Sequence, residues 1–124
     1  MKIIIDGYNL MYRMELTGSL EKKRDSMLET LAEFLSVNPN DMTVVFDGRN
    51  NPSDHRGKEV KYGIKVCYSA RGEIADDYIM EMITKRTGKA KEYLIVSSDR
   101  MISDFAREHF MRTASSDEFI EYLE

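Results

Sequence analysis

One cysteine, two histidines and two prolines are all that this 124-residue chain holds of those residue types, and each scarcity closes a route. Cys67 alone makes no internal disulfide, which predicts a reducing, cytoplasmic setting. Set in Ile64-Lys65-Val66-Cys67-Tyr68, it reads as a small buried hydrophobe rather than a nucleophile. No Cys/His cluster exists for zinc. His55 lies in a polar loop, and His109 falls on the apolar side of a helix beside Phe105 and Ile102, so no pair is placed for metal-free acid–base work. A phosphate-cradling loop is missing too. Asp47-Gly48-Arg49 and Lys61-Tyr62-Gly63 lack both its spacing and its Lys-Ser/Thr end. No apolar run approaches the roughly 20 residues of a membrane helix. The first strand pattern begins at Lys2, which predicts no signal peptide. Repeats, low-complexity tracts and linkers are absent, and Pro39 and Pro52 only punctuate loops. A single domain over 1–124 is the expectation.

What is present alternates. Residues 2–6 read as a strand, and Leu20, Met27, Leu28, Leu31, Phe34 and Leu35 follow at helical spacing over 20–36. A strand over 43–47, a long loop rich in Gly, Asn and charge, and a strand near 64–69 come next. A helix over about 73–87 ends at Gly88, and a strand over 93–98 leads to a helix marked by Met101, Ile102, Phe105 and Ala106. A short strand near 111–114 precedes a last helix announced by the capping box Ser115-x-x-Glu118. Most of the nine methionines sit at helical core spacing, as packing. Such alternation predicts right-handed βαβ units, and so an α/β fold with a parallel sheet covered on both faces. Ligands then bind outside the carboxyl ends of the strands.

Along that edge stand four aspartates. Asp6 ends Lys2-Ile3-Ile4-Ile5, Asp47 ends Val44-Val45-Phe46, Asp99 ends Leu94-Ile95-Val96-Ser97-Ser98, and Asp76 lies one turn into the helix beginning near Glu73. Any one of them has an ordinary explanation, because Asp caps helices and suits a first helical turn. Four converging carboxylates are harder to explain by stability, since repulsion and desolvation both oppose them. The natural occupant is a divalent metal held by oxygen ligands. Gly7 permits close backbone approach beside Asp6, and Asn9 offers an amide back toward its carboxylate. With Ala75, Ile79, Met82 and Ile83 forming the apolar face of its helix, Asp76 borders that face while Asp77 points to solvent. Asp104 lies about 7 to 8 Å along its helix from Asp99 and either completes the site or faces water.

Charge is uneven. The net charge is −4, yet residues 48 to 72 carry Arg49, Arg56, Lys58, Lys61, Lys65 and Arg71 against Asp54 and Glu59. A basic strip beside an acidic cleft suits a phosphate backbone steered in and then held; the plain alternative is a solvated loop.

Four motifs occur in a fixed order: Asp6-Gly7-Tyr8-Asn9, Val44-Val45-Phe46-Asp47-Gly48, Ala75-Asp76-Asp77-Tyr78-Ile79 and Val96-Ser97-Ser98-Asp99-Arg100. Together they resemble the NYN domain of the YacP-like nucleases, a branch of the PIN-like ribonucleases. The likeness runs to Ser115-Ser116-Asp117-Glu118-Phe119, which is similar to that family's terminal strand-to-helix turn. The resemblance implies a three-layer α/β/α fold with a mostly parallel sheet. It also implies an acidic pocket for Mg²⁺ or Mn²⁺, and endonucleolytic cleavage of single-stranded RNA, in bacterial relatives of mRNA on the ribosome. By motif position it assigns Asp6, Asp76 and Asp99 as metal ligands with Asn9 in support, while Asp47 lines or joins the site. Related PIN-like domains often place a further acid soon after the fourth-strand aspartate; here Arg100 follows Asp99 and Asp104 is offset. Arg49, Arg56, Lys58, Lys61 and Arg100 are the expected RNA contacts. The rival expectation is an RNA- or ribosome-binding module whose acidic pocket cleaves nothing. An aspartyl-phosphate transferase is disfavoured, because Tyr8 occupies the place of its second acid.

Overall fold

The computed structural model describes residues 1–48 and 53–124. Six strands form one sheet in the order β3-β4-β2-β1-β5-β6. These are β1 (Lys2–Asp6), β2 (Asp41–Phe46), β3 (Gly57–Lys61), β4 (Ile64–Tyr68), β5 (Tyr93–Val96) and β6 (Arg112–Ala114). All neighbours run parallel except β3, which pairs antiparallel with β4. The helices are α1 (Gly7–Met11), α2 (Leu20–Val37), α3 (Ala75–Lys85), α4 (Arg100–Glu108) and α5 (Ser116–Leu123), with a 3₁₀ turn over Thr87–Glu92.

Two-residue periodicity splits the apolar residues of each central strand between two cores. Ile3, Ile5, Val44, Phe46, Val66 and Val96 pack against Leu10, Met11, Met27, Leu28, Leu31 and Phe119, from α1, α2 and α5. Ile4, Val45, Cys67 and Ile95 face Ile79, Met82, Ile83, Ile102 and Ala106, from α3 and α4. The result is the expected α/β/α sandwich. Cys67 is buried as a core residue. His109 closes α4 with Nδ1 2.8 Å from the Phe105 carbonyl oxygen and its ring 4.3 Å from that of Phe105, a structural rather than a chemical position. Among the described residues no helix is long and apolar enough to cross a membrane.

Two elements depart from the sequence expectation. The segment read as loop before residue 64 contains β3, an edge strand of which only Gly57 is even half-buried. A strand exposed on both faces shows no apolar alternation, so its pairing rests on the backbone and on its turn. Tyr62 (φ 54°) and Gly63 (φ 79°) both take left-handed conformations, the geometry of a two-residue type I′ hairpin. The other is α1, a single turn and a half too short to show helical periodicity.

Candidate active site

At the carboxyl edge of the sheet, β1 delivers Asp6 directly into α1. Asp6 occupies the N-cap position, yet its side chain makes no cap hydrogen bond. It is 8% exposed and instead accepts a hydrogen bond from the Ser97 hydroxyl at 3.0 Å. Burial above all, and then the nearby Asp76 and Asp99 carboxylates, push its carboxyl up to about 6. The helix-cap explanation therefore accounts for little of Asp6, whose charged form the Asn9 backbone N–H favours less than burial and the neighbouring acids oppose it. For Asp99 the cap explanation holds: its side chain accepts from the Met101 backbone N–H at 2.8 Å and caps α4.

Asp76 is half-buried and Asp77 exposed. The Asp76 carboxyl is raised as well, by burial first and then by the neighbouring Asp99, with Asp77 and Asp47 adding to the effect. The strand-end acids of β1, β2 and β5 and the first turn of α3 thus act on one another. Asp104 does not join them; it is exposed and paired with Arg107 at 3.0 Å, its carboxylate spent on its own helix.

Asn9 has a different task from the one its sequence position predicts. Its side-chain oxygen accepts from the Ser98 backbone N–H at 2.9 Å and from the Ser116 hydroxyl at 2.6 Å. Ser98 Oγ accepts in turn from the Ser116 backbone N–H at 3.0 Å. The Asn9 side chain thereby ties α1 to the β5–α4 turn and to the start of α5, while it is the Asn9 backbone N–H, not its amide, that favours the Asp6 carboxylate. Ser97 is the residue that sequence reasoning missed. Fully buried, it donates to Asp6 and accepts from the Asp99 backbone N–H at 3.0 Å, so one hydroxyl sets the spacing of two acids. A small polar residue just past the end of a buried strand, two positions before the acid, was the available signal.

Two glycines let the edge close. A Cβ on Gly7 would lie 2.6 Å from the Phe46 ring, and one on Gly48 would collide with the Ser69 carbonyl oxygen. The Gly48 N–H donates to Ser69 Oγ at 2.8 Å, and that hydroxyl donates to the Glu73 carbonyl at 2.7 Å. Asp47 is held against the α3 approach in this way. Gly48→Ala is expected to cost about 1–3 kcal/mol through overpacking, read as a lowered urea midpoint at unchanged slope.

The expected basic strip is largely occupied. Arg56 bridges Glu73 (2.7 Å) and Glu81 and lies 3.9 Å over the Tyr78 ring, fastening the β3 edge to α3. Lys61 pairs with Asp25 at 2.7 Å. Lys58 and Arg100 are exposed. Arg49 lies outside the described residues.

A divalent cation fits this edge by donor chemistry, since carboxylates and the Ser97 hydroxyl supply oxygen and no imidazole or thiol intervenes. Among the described residues, however, no three His, Cys, Asp or Glu side chains stand close enough together to hold an ion. The acids converge without forming a closed cage.

The sequence profile of the YacP-like NYN domain matches residues 3–124. The chain belongs to the YacP-like NYN family. Within it, the uncharacterised protein YacP of Bacillus subtilis (strain 168) is 24% identical over 102 residues, 78% of this chain and 59% of that protein. The chain thus spans less than two thirds of its relative's length. Two crystal structures of Rae1 (YacP) from Bacillus subtilis, one of a point mutant, share the fold. They superimpose with TM-scores of 0.77 and 0.73 at 21% identity, covering 98% of this chain and 74% and 72% of theirs. Membership of this family is consistent with a nuclease or RNA-related role.

Proposed function

We propose that this NYN domain is a Mg²⁺- or Mn²⁺-dependent endoribonuclease acting on single-stranded RNA. The observation that carries the reading is Asp6: a buried carboxylate whose side chain makes no geometric cap hydrogen bond and is set against two other acids, its pKa raised by burial first and then by those acids. Asp6, Asp76 and Asp99 would hold the ion, with Asp47 at the rim. When bound, the ion supplies Lewis-acid polarisation of a phosphodiester and a nucleophilic water at neutral pH. Ser97 orients Asp6 by its hydrogen bond and fixes Asp99 through the backbone. Asn9 holds the β5–α4 turn in register with α1. Arg100, exposed beside Asp99, would meet the incoming phosphate. mRNA on the ribosome is the proposed physiological substrate, in keeping with the branch that this chain resembles.

The lack of a ready-made three-ligand cage among the described residues favours one rival, an RNA-binding module that does not cleave. One assay separates the two. Single-stranded RNA incubated with the protein and Mn²⁺ is expected to be cut internally, and EDTA to stop it. Equal cutting in EDTA would refute metal dependence, and intact RNA under every metal condition would leave the binding module.

A further inference from the structure

On the sheet face beside α3, two adjoining clefts of about 470 and 500 Å³ share Lys2, Arg86 and Tyr93, at the amino ends of the strands, in their walls, and the first runs along that face to Lys58, which the strand register sets level with Asp6 but three strands away. Lys58 and Lys65 complete the first, Lys85 and Lys89 the second. Six cations from four separate segments meet there, against only Asp41 and Glu59, in a chain of net charge −4. Tyr93 forms a buried floor, with Lys2 Nζ 5.6 Å and the Arg86 guanidinium 6.0 Å from its ring centre.

The fold explains the gathering. Lys2 and Lys65 share the sheet face of Ile4 and Cys67, but α3 ends at Lys85 and leaves that face uncovered at the amino ends of the strands. Cations at a helix carboxyl end are favoured by its dipole, which accounts for Lys85 and Arg86. It does not account for Lys2, Lys58 and Lys65 facing them across the cleft. Two of the six are in ion pairs, Lys65 with Asp41 at 3.5 Å and Lys85 with Glu81 at 3.7 Å, all of these side chains exposed. Exposed pairs of this kind are worth at most about 1 kcal/mol and exchange readily for a stronger anion. Lys58 and Lys89 form no ion pair among the described residues.

We propose that this surface is a second contact area for an RNA strand, taking its phosphates on Lys2, Lys58, Lys65, Lys85, Arg86 and Lys89. The inference rests on the RNA-cleaving reading above and extends it, because β1 alone separates the two sheet ends by roughly 13 Å. An array spread over two clefts suits a polyanion better than one small anion. RNA long enough to reach both ends gains affinity that a fragment lying only at the acids lacks.

The test is anisotropy binding in EDTA across a salt series, with the double variant Lys85→Gln/Lys89→Gln. Both side chains are exposed, so folding is unaffected. For single-stranded RNA of about twenty nucleotides, the variant is expected to bind roughly 5- to 20-fold more weakly, its salt slope shallower by about one to two. An oligonucleotide of about four nucleotides should bind both proteins alike. Unchanged affinity and slope in the double variant would overturn the surface. So would full displacement of the long RNA by millimolar inorganic phosphate at constant ionic strength, or binding to phosphatidylserine vesicles without binding to RNA. Intact cleavage by a double variant that binds normally would remove the surface and leave the nuclease. A wild-type protein whose cleft binds RNA but which cuts nothing with Mn²⁺ would do the reverse.

Discussion

Asp6→Asn is expected to lower RNA cleavage by roughly 10²- to 10³-fold or more while making the metal-free protein more stable at neutral pH. The two effects have one cause. Folding removes Asp6 from water and sets it near Asp76 and Asp99, so its folded pKa, about 6, lies above the ordinary 3.8. A group raised in this way contributes its stability in the protonated form. That contribution is complete below about pH 3.8 and is lost as pH rises through about 6. At pH 7 the ionised carboxylate costs the fold roughly 2–3 kcal/mol relative to its protonated form. The amide carries no such penalty and retains an acceptor for Ser97. The Tm difference between variant and wild type in EDTA should therefore grow from pH 4 to pH 7. Added Mn²⁺ should stabilise wild type alone, because only a bound ion shifts the folding equilibrium. A variant that melts lower than wild type at pH 7 in EDTA, or that keeps its Mn²⁺ shift, would show that Asp6 serves the fold and not a metal.

Asn9→Ala is the second large effect, expected to cost about 2–3 kcal/mol. It leaves the Ser98 N–H and the buried Ser116 hydroxyl without the acceptor they share. Because the same oxygen holds the turn that carries Asp99, kcat should fall about tenfold or more while KM changes little. Pairing Asn9→Ala with Ser116→Ala tests the bracket directly. The two share one hydrogen bond, so a coupling energy of about 0.5–3 kcal/mol is expected in a double-mutant cycle. Simple additivity, or an Asn9→Ala protein that melts and cleaves as wild type does, would rule out the bracket.

The architecture was legible because it is written in local patterns. Short apolar runs mark β1, β2, β4 and β5, helical spacing marks α2 and α3, and a capping box marks α5, whose reciprocal hydrogen bonds the structure contains. β3 escaped because an exposed edge strand buries almost no side chain, and the backbone pairing that makes it a strand leaves no pattern.

Sequence by itself determined the sheet, the edge at which acids accumulate and the family, since these depend on local periodicity and on short ordered motifs. Which acid's side chain caps its helix was a tertiary matter, settled by where hydrogen bonds go. Asp99 reaches its own helix, Asp6 reaches Ser97 from a strand 91 residues away, and Asp104 turns to Arg107. The cations followed the same logic. Arg56, two residues before Lys58, is drawn off by Glu73 and Glu81, while Lys2 and Arg86 come together from distant segments. Charge is a property of the residue, but its availability is a property of its neighbours, and the neighbours are chosen by the fold.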